Sequence, residues 1–360
     1  MRYIGNKTKL LPFIGDFLRG RRIARGRALD AFAGTAAVGS HLKASGFDVV
    51  GCDIMTYSFV LQQAYVVADA YPTFDGLATE IDLASPSPSG PLAAVLAHLD
   101  AIAPRASFIT THFSAPLDTP VDADARMYFT QANAERIDAV RHALHDWHIA
   151  SRVTDHEYYI LLATLIEAAD AVANTAGVYA AYLKRWQPNA RRPLRLTMPD
   201  LIVDSGRTCE AHKGDVNQLL DGLGEFDLLY LDPPYNSRQY GGYYHVPELL
   251  ARGWFADDPP ALRGKTGLID TTAQQSQWSV RTDCVAALDD LLSRASARHV
   301  VLSYNNEGII PEPDIARVFK SHGVPSSYRR VAQDYARYRA DQRAYVADRT
   351  TEYLYYVRLR

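Results

Sequence analysis

The sequence predicts an α/β fold in which both ends of the chain build one parallel sheet and a long helical segment interrupts it. Short apolar runs of buried-strand type alternate with helical patterns near the N-terminus. The same alternation resumes in the C-terminal half, whereas residues 57–206 carry helical patterns with few strand signals. Because alternating strands and helices are typical of parallel sheets, we expect a split α/β core and a helical insertion.

The N-terminal part of the core is predicted as a strand–helix–strand unit. Residues 28–32 are apolar around Asp30, and residues 34–39 form a loop of small residues between two glycines. Residues 40–45 continue with helical character, and residues 48–53 form a second buried strand that ends on Asp53. A right-handed crossover would set the two strands parallel to each other.

The helical insertion is predicted from two long stretches, residues 133–149 and 157–174, which have helical patterns. Loops separate these stretches from the rest of the segment. We therefore expect residues 57–206 to form a mainly helical region of their own.

The C-terminal half restores the strand pattern of the core. Residues 226–231 and 299–303 are short apolar runs typical of buried strands. Residues 351–359 are rich in residues that favour strands, which predicts a terminal strand or hairpin. The predicted core therefore comprises residues 1–56 and 207–360.

Composition places the chain among ordinary globular proteins, since 48% of its 360 residues are hydrophobic and 22% are charged. A formal net charge of -3 gives no general attraction to polyanions, so nucleic-acid binding would need local basic patches. The first residues lack the apolar core of a signal peptide, and no stretch approaches the roughly 20 apolar residues of a membrane span. We expect a cytoplasmic protein without a membrane partner.

The three cysteines, Cys52, Cys209 and Cys284, lie far apart and lack the spacing of metal ligands. We expect buried thiols and no metal site.

The strongest chemical signal follows the predicted strand 226–231, where the chain continues as Asp232-Pro233-Pro234-Tyr235. Ligands bind at the carboxyl ends of strands in open α/β sheets, and two prolines stiffen the loop there. The aspartate and the proline carbonyl offer only acceptors, which suits a primary amino group with two N–H donors. Tyr235 adds a face for a planar ring. Taken alone, the motif would more often be a structural Asp-Pro turn.

A second signal is the loop of residues 30–39, which lies between a predicted strand and a predicted helix. Gly34 allows close backbone approach, and Asp53 at the end of the next strand can hold ribose hydroxyls. The loop departs from the dinucleotide fingerprint, because Ala36 stands where a second glycine is expected. The loop has no basic residue that could bind a pyrophosphate, so these residues favour a nucleoside cofactor without phosphate.

Together these segments resemble the Dam-like, alpha-group N6-adenine DNA methyltransferases of bacterial restriction-modification systems and phages. The resemblance spans nearly the whole chain and depends on residues 2–10, 30–39, 214–215 and 232–235, in the order of that group. It implies a Rossmann-like, S-adenosylmethionine-dependent methyltransferase core with a mainly helical DNA-recognition insertion.

The resemblance also implies roles for individual residues. Lys7 would lie near the carboxylate of S-adenosylmethionine, Asp53 would take its ribose hydroxyls, and Asp215 would accept from its adenine amino group. The expected cofactor-binding residues are Tyr3, Lys7, Asp30, Phe32, Gly34, Asp53 and Asp215. The expected catalytic residues, which would hold a flipped target adenine, are Asp232, Pro233, Pro234 and Tyr235. Each of these residues also has an ordinary structural explanation, as a core aromatic, a surface charge or a turn residue.

Further similarity to one subgroup of the family lies in residues 126–130, 173–179, 183–186 and 303–308. The last segment follows a predicted strand, and it could border the adenine pocket.

Contact with DNA is predicted for a basic stretch around Trp186 that contains no acidic residue. Its members are Lys184, Arg185, Arg191, Arg192 and Arg195. A solvated helix end explains the same pattern. Arg238, just past the catalytic motif, is a weaker candidate for DNA contact. A second basic region, interrupted by acidic residues, comprises Arg329, Arg330, Arg337, Arg339 and Arg343.

The function expected from the resemblance is methylation of adenine N6 in double-stranded DNA, with a cognate restriction endonuclease as functional partner. Two alternatives stay open. One is methylation of RNA, at guanine N2 or adenine N6, or of a protein amide, because an Asp-Pro-Pro-Tyr loop suits any planar amine. The other is a catalytically idle DNA-binding protein that keeps the fold.

Overall fold

The computed structural model describes residues 1–118, 124–336 and 349–360. Its nine strands, in chain order, are β1 (Gly26–Asp30), β2 (Phe47–Asp53), β3 (Ser114–Ala115), β4 (Phe129–Thr130), β5 (Glu210–Lys213), β6 (Phe226–Leu231), β7 (Ala297–Asn305), β8 (Arg329–Ala336) and β9 (Arg349–Arg358). Its α-helices are α1 (Leu11–Gly20), α2 (Ala37–Ala44), α3 (Thr56–Gln62), α4 (Gly90–Ala101), α5 (Phe108–Phe113), α6 (Gln131–Ile149), α7 (Asp155–Val172), α8 (Val216–Leu219), α9 (Tyr240–Tyr243), α10 (His245–Arg252), α11 (Cys284–Arg294) and α12 (Glu312–His322).

Seven strands form one sheet in the order β5-β2-β1-β6-β7-β9-β8. The first five are parallel, whereas β9 runs antiparallel to both of its neighbours. Starting from β1, the chain fills one side of the sheet with β2 and β5, and the other side with β6 and β7. The strand order therefore reverses between β1 and β6, which is where open α/β sheets bind ligands.

Helices cover both faces of the sheet, because its central strands are apolar on both sides. On one face, α2 and α3 pack on the sheet, and α1, α7 and α10 join the same hydrophobic core as Ala28, Val49 and Leu228. On the other face, α8, α11 and α12 pack against residues that include Leu29 and Leu229. The expected α/β class is thus confirmed at the level of a mixed fold with a mostly parallel sheet.

The longest helices occupy the middle of the chain, as the sequence predicts. Thr130 caps α6 by accepting from the Asn133 amide, and Thr154 and Glu157 form a reciprocal capping box at the start of α7. Each end of these two helices lies within two residues of its predicted position. The first helix after β2, α3, packs beneath the sheet, so this middle segment shares one hydrophobic core with the flanking parts.

The first strand lies two residues earlier than the sequence predicts. It covers Gly26–Asp30 rather than residues 28–32, because the chain turns after Asp30 and passes through the left-handed region at Gly34 and Ala36. Within the described part of the chain, every helix is too short or too polar to cross a lipid bilayer.

Candidate active site

A cavity lies at the carboxyl ends of β1, β2 and β6, where the strand order reverses. It encloses about 890 Å³ of empty space, which includes the solvent at its open mouth. The residues predicted for cofactor binding and catalysis line it, with the exception of Asp30. They are Tyr3, Lys7, Phe32, Gly34, Asp53, Asp215, Asp232, Pro233, Pro234 and Tyr235.

Asp30 ends β1 just behind the cavity wall. Its side chain is 1% exposed, and neither carboxylate oxygen makes a hydrogen bond of ordinary geometry among the described residues. Burial, reinforced by the nearby charge of Asp232, raises the pKa of Asp30 to about 8, although the backbone amides of Gly39 and Phe32 oppose the rise. The central strand therefore ends on a buried carboxyl group that only backbone amides approach.

The loop after β1 is shaped around Asp53, the last residue of β2. Gly34, in the left-handed region at φ +51°, donates its N–H to Asp53 Oδ2 at 2.8 Å. The Met55 amide donates to Oδ1 at 2.9 Å, and the Ser58 side chain also bonds the carboxylate. A carboxylate has about four lone-pair sites, so these donors leave at least one open. Burial raises the pKa of Asp53, although these N–H donors oppose the rise. Its carboxylate is held rigidly at the cavity wall.

The N-terminal segment closes another wall of the cavity. The Tyr3 ring stacks on Tyr244 with ring centres 4.6 Å apart, and it lies directly over Gly34. Tyr57 donates its hydroxyl to the Tyr3 hydroxyl at 3.2 Å. Arg2 anchors the segment, because its amide and guanidinium donate to the side chain and the carbonyl of Asp170 in α7.

Asp215 and Phe32 lie on the side of the cavity nearest α8. Asp215 caps that helix by accepting from the Asn217 amide at 3.0 Å, and burial raises the pKa of its carboxyl group. Phe32 meets the Trp278 ring edge-on with centres 5.0 Å apart, and the Trp278 indole in turn donates to Asn217 Oδ1. These contacts fix the ring and the carboxylate as a pair at one end of the cavity.

The catalytic candidate Asp232 uses its two carboxylate oxygens differently. Oδ1 accepts from the Tyr235 hydroxyl at 2.5 Å and lies 3.0 Å from Lys7 Nζ. Oδ2 has no protein partner among the described residues, and the side chain is 14% exposed. The Pro233 carbonyl is likewise free of a hydrogen bond in the described part of the chain. Burial raises the pKa of Asp232 to about 6, although Lys7 opposes the rise.

Lys7 lies between two carboxylates rather than in the open part of the cavity. Its ammonium contacts Asp232 Oδ1, the Tyr235 hydroxyl and Glu352 Oε1, the last at 2.9 Å. Burial by itself would lower the pKa of Lys7, but Asp232 and Glu352 reverse the effect and raise it. The expectation that Lys7 lies near a cofactor carboxylate stays a prediction, and the contact with Asp232 is one that the sequence did not indicate.

Glu352 is a site residue that sequence reasoning missed. It lies on β9, is fully buried, and accepts from Lys7 and Ser303. Its Oε1 also lies 3.0 Å from the Tyr235 hydroxyl, whose single proton is donated to Asp232. It is separated from Lys7 by 345 residues and belongs to no motif, so only the pairing of β9 with β7 brings it to the cavity.

The segment of residues 303–310 supports the catalytic loop from behind. The Tyr304 hydroxyl donates to the Pro234 carbonyl at 3.2 Å, and its ring lies 5.1 Å from the Tyr235 ring. The Ile309 amide donates to the Tyr235 carbonyl at 3.1 Å. The segment therefore lies beside the catalytic loop, and the expectation that it borders an adenine pocket stays a prediction.

Comparison with known proteins identifies the family. The model of the D12 class N6 adenine-specific DNA methyltransferases matches residues 3–312. The chain belongs to this family. The resemblance found in the sequence is thereby confirmed.

Several curated methyltransferases are similar to the chain. The type II methyltransferase M.NlaIII of Neisseria lactamica is 34% identical over 361 residues, which cover 99% of this chain and 98% of that protein. The type II methyltransferase M.FokI of Planomicrobium okeanokoites is 32% identical across 99% of this chain, which spans about half (52%) of the M.FokI sequence. The modification methylase StsI of Streptococcus sanguinis is 31% identical over 90% of this chain and 47% of its own length. No solved structure gave a significant match.

The basic residues predicted for DNA contact lie on the surface of this D12 methyltransferase. The stretch from Lys184 to Arg195 has no regular secondary structure, so a solvated helix end does not explain it. All five of its basic side chains are exposed, and among them Arg195 approaches Asp100 at 4.0 Å. Arg238 is also exposed, and its guanidinium lies 6.0 Å from the Tyr243 ring centre.

The second basic region falls partly on β8. Arg329 and Arg330 are exposed there, and Arg330 forms an ion pair with Glu312. Arg337, Arg339 and Arg343 lie outside the described residues. Among the residues that the structure describes, no cluster of three or more His, Cys, Asp or Glu side chains could hold a metal ion.

Proposed function

We propose that this chain transfers a methyl group from S-adenosylmethionine to N6 of an adenine that is flipped out of double-stranded DNA. We further propose that it is the modification enzyme of a type II restriction-modification system, with a restriction endonuclease as functional partner. Membership of the D12 class supports the reaction, and the names of M.NlaIII, M.FokI and StsI support the system.

The observation that carries the proposal is the pair of free acceptors at the end of β6. Asp232 Oδ2 and the Pro233 carbonyl have no protein partners among the described residues, and both lie at the cavity. An exocyclic amino group has two N–H donors, so it would satisfy both acceptors at once. A base inside a duplex cannot reach them, which is why flipping belongs to the proposal.

The remainder of the cavity fits S-adenosylmethionine, a nucleoside that carries an amino-acid tail and no phosphate. Asp53 retains lone pairs for ribose hydroxyls, and Asp215 with Phe32 would receive the adenine ring and its amino group. The buried carboxyl group of Asp30, just behind the cavity wall, would attract a positively charged amino group at the tail. When bound, the cofactor supplies a methyl group on a positively charged sulfur.

In the proposed mechanism the residues of this chain mainly position the amine. Asp232 Oδ2 and the Pro233 carbonyl would accept its two N–H groups and thereby aim the nitrogen lone pair. The carboxylate would also stabilise the positive charge that grows on the nitrogen during transfer. The surplus proton can then pass to Oδ2, because the pKa of Asp232 is raised to about 6.

The proposed architecture assigns recognition to the middle of the chain. Residues 1–56 and 207–360 would form a Rossmann-like catalytic core, and residues 57–206 would form the DNA-recognition insertion. The strand order with its reversal at the cavity supports the first assignment, and the long helices α6 and α7 support the second. Exposure of the basic stretch supports DNA contact by Lys184, Arg185, Arg191 and Arg192, with Arg238 near the cavity.

The test is to incubate the purified chain with labelled S-adenosylmethionine and, separately, unmethylated DNA, RNA and protein extract. We expect label in DNA alone, and loss of transfer in the Asp232→Asn variant with cofactor binding retained. Label in RNA or protein but not in DNA would move the assignment to the corresponding class of methyltransferase. Undiminished transfer by Asp232→Asn would contradict the catalytic role of this residue.

A further inference from the structure

We propose that Glu352 is a positioning residue for methyl transfer, which acts on Asp232 through Lys7 and keeps this buried cluster negatively charged. The inference rests on the proposed function, since it concerns the same amino group. Glu352 lies beyond residues 3–312, which the family model matches.

The first support is the way in which Lys7 distributes its three N–H donors. They point to the Tyr235 hydroxyl, to Asp232 Oδ1 and to Glu352 Oε1. Because Glu352 takes one donor, the ammonium is held away from Oδ2, and that oxygen stays open to the cavity. Without Glu352 the ammonium would be free to turn towards Asp232 and compete with the target amine.

The second support is the charge of the cluster. Asp232 and Glu352 carry two negative charges against the single positive charge of Lys7, so the cluster has a net charge of about -1 when both are ionised. Methyl transfer moves a positive charge from sulfur to the target nitrogen, next to Asp232. A negatively charged cluster stabilises that change, whereas a neutral cluster of Asp232 and Lys7 would give much less stabilisation.

The third support is that the second carboxylate oxygen of Glu352 has no hydrogen-bond donor among the described residues. Oε1 accepts from Lys7 and Ser303, but Oε2 is buried without a partner among the described residues. A buried charge with unmet hydrogen-bonding capacity costs folding free energy. An uncharged side chain of the same size would fill this space without that cost, so packing alone does not explain the glutamate.

The decisive variant is Glu352→Gln, which preserves shape and one acceptor but removes the charge. We expect kcat to fall by roughly 10- to 100-fold, with the KM values for DNA and S-adenosylmethionine nearly unchanged. Glu225→Gln is the matched control, because Glu225 is exposed at the opposite end of the sheet. Ser303→Ala, which removes one donor to Glu352, should fold normally and lower kcat in the same direction by a smaller factor.

A second readout does not depend on activity. In protein labelled with carbon-13 at the aspartate carboxyl carbon, the Asp232 signal is assigned by its loss in Asp232→Asn. The charge of Glu352 raises the pKa of Asp232, so Glu352→Gln should move the titration midpoint of Asp232 to lower pH. A role in packing alone predicts no such displacement.

The outcomes separate this inference from the proposed function. A lower Asp232 midpoint with a reduced kcat in Glu352→Gln supports the role of Glu352. An unchanged midpoint, or an unchanged kcat in an active parent enzyme, overturns it. If the parent methylates no DNA, the proposed function fails, and the midpoint still decides whether Glu352 controls Asp232.

Discussion

At Asp232 the protein holds one carboxylate oxygen and leaves the other open. Tyr235 and Lys7 contact Oδ1, whereas Oδ2 has no partner among the described residues. The buried ammonium of Lys7 makes this arrangement possible, because it lies within reach of two carboxylates. Asp232 is therefore both rigidly placed and available to an amine.

The ionisation of Asp232 predicts the acid limb of the pH profile. A protonated carboxyl group lacks the negative charge that stabilises the growing positive charge on nitrogen, and one of its oxygens presents an O–H donor, so transfer requires the ionised form. Its pKa is raised to about 6, so the rate should fall as the pH decreases through about 6 and level off above it. Single-turnover rates at saturating DNA and cofactor measure this limb.

Lys7→Met sharpens the same prediction, because Lys7 lowers the pKa of Asp232. The acid limb should move to higher pH in this variant, while Lys9→Met, which alters an exposed lysine nearby, should leave it in place. A limb that stays at the parental pH in Lys7→Met would show that Asp232 does not control it.

The sequence predicted the residues that belong to local motifs and missed the one that does not. Asp53 ends one predicted strand and Asp232 follows another, so strand patterns were enough to place them at one edge of the sheet. Asp215 was predicted from the family resemblance, because the strand before it is polar. Glu352 reaches the site only because β9 runs antiparallel beside β7. Its position along β9 gave no chemical signal, since a glutamate within a strand is ordinarily assigned to the exposed face.

At the scale of elements, the central strands were predicted best. The strand ending at Asp53 and the strand 226–231 were found with their predicted ends, because uninterrupted apolar runs mark strands that are buried on both faces. The edge strands β5 and β8 are polar, so their patterns did not indicate strands. Edge strands form by pairing with a neighbour, which a local pattern does not record.

The contact between the segment after β7 and the catalytic loop makes a prediction at this scale. A Cβ atom at Gly308 would lie 2.0 Å from the Tyr304 ring, whose hydroxyl holds the Pro234 carbonyl. Gly308→Ala should displace that ring and loosen the loop, so kcat should fall about 10-fold or more while cofactor binding is retained. Gly222→Ala meets nothing within 4 Å and is the control. Equal rates in both variants would argue against support of the loop by Tyr304.

At the scale of the whole molecule, we assign methyl transfer to the cavity and DNA binding to the exposed basic stretch. The net charge of -3 gives no general attraction to DNA, so binding must depend on local contacts. The double variant Lys184→Ala with Arg185→Ala should therefore weaken DNA binding most at low salt. The plot of log K against log salt should become shallower by up to about 2, because each phosphate that a basic side chain neutralises adds roughly 0.9 to its slope.

The matched control for that variant is Arg25→Ala with Arg298→Ala. Both arginines are exposed near the amino ends of the strands, on the side of the sheet opposite the cavity. Binding titrations at several salt concentrations compare the two variants. Equal reductions of affinity would indicate a general charge effect and remove the basic stretch from the proposed interface.

The chemical position of the methyl group decides whether the cavity directs methyl transfer to the exocyclic nitrogen of adenine. DNA methylated by the purified chain is digested to nucleosides and analysed by mass spectrometry against standards. We expect N6-methyladenine as the product, and none with Asp232→Asn. N4-methylcytosine or 5-methylcytosine in place of N6-methyladenine would contradict this assignment.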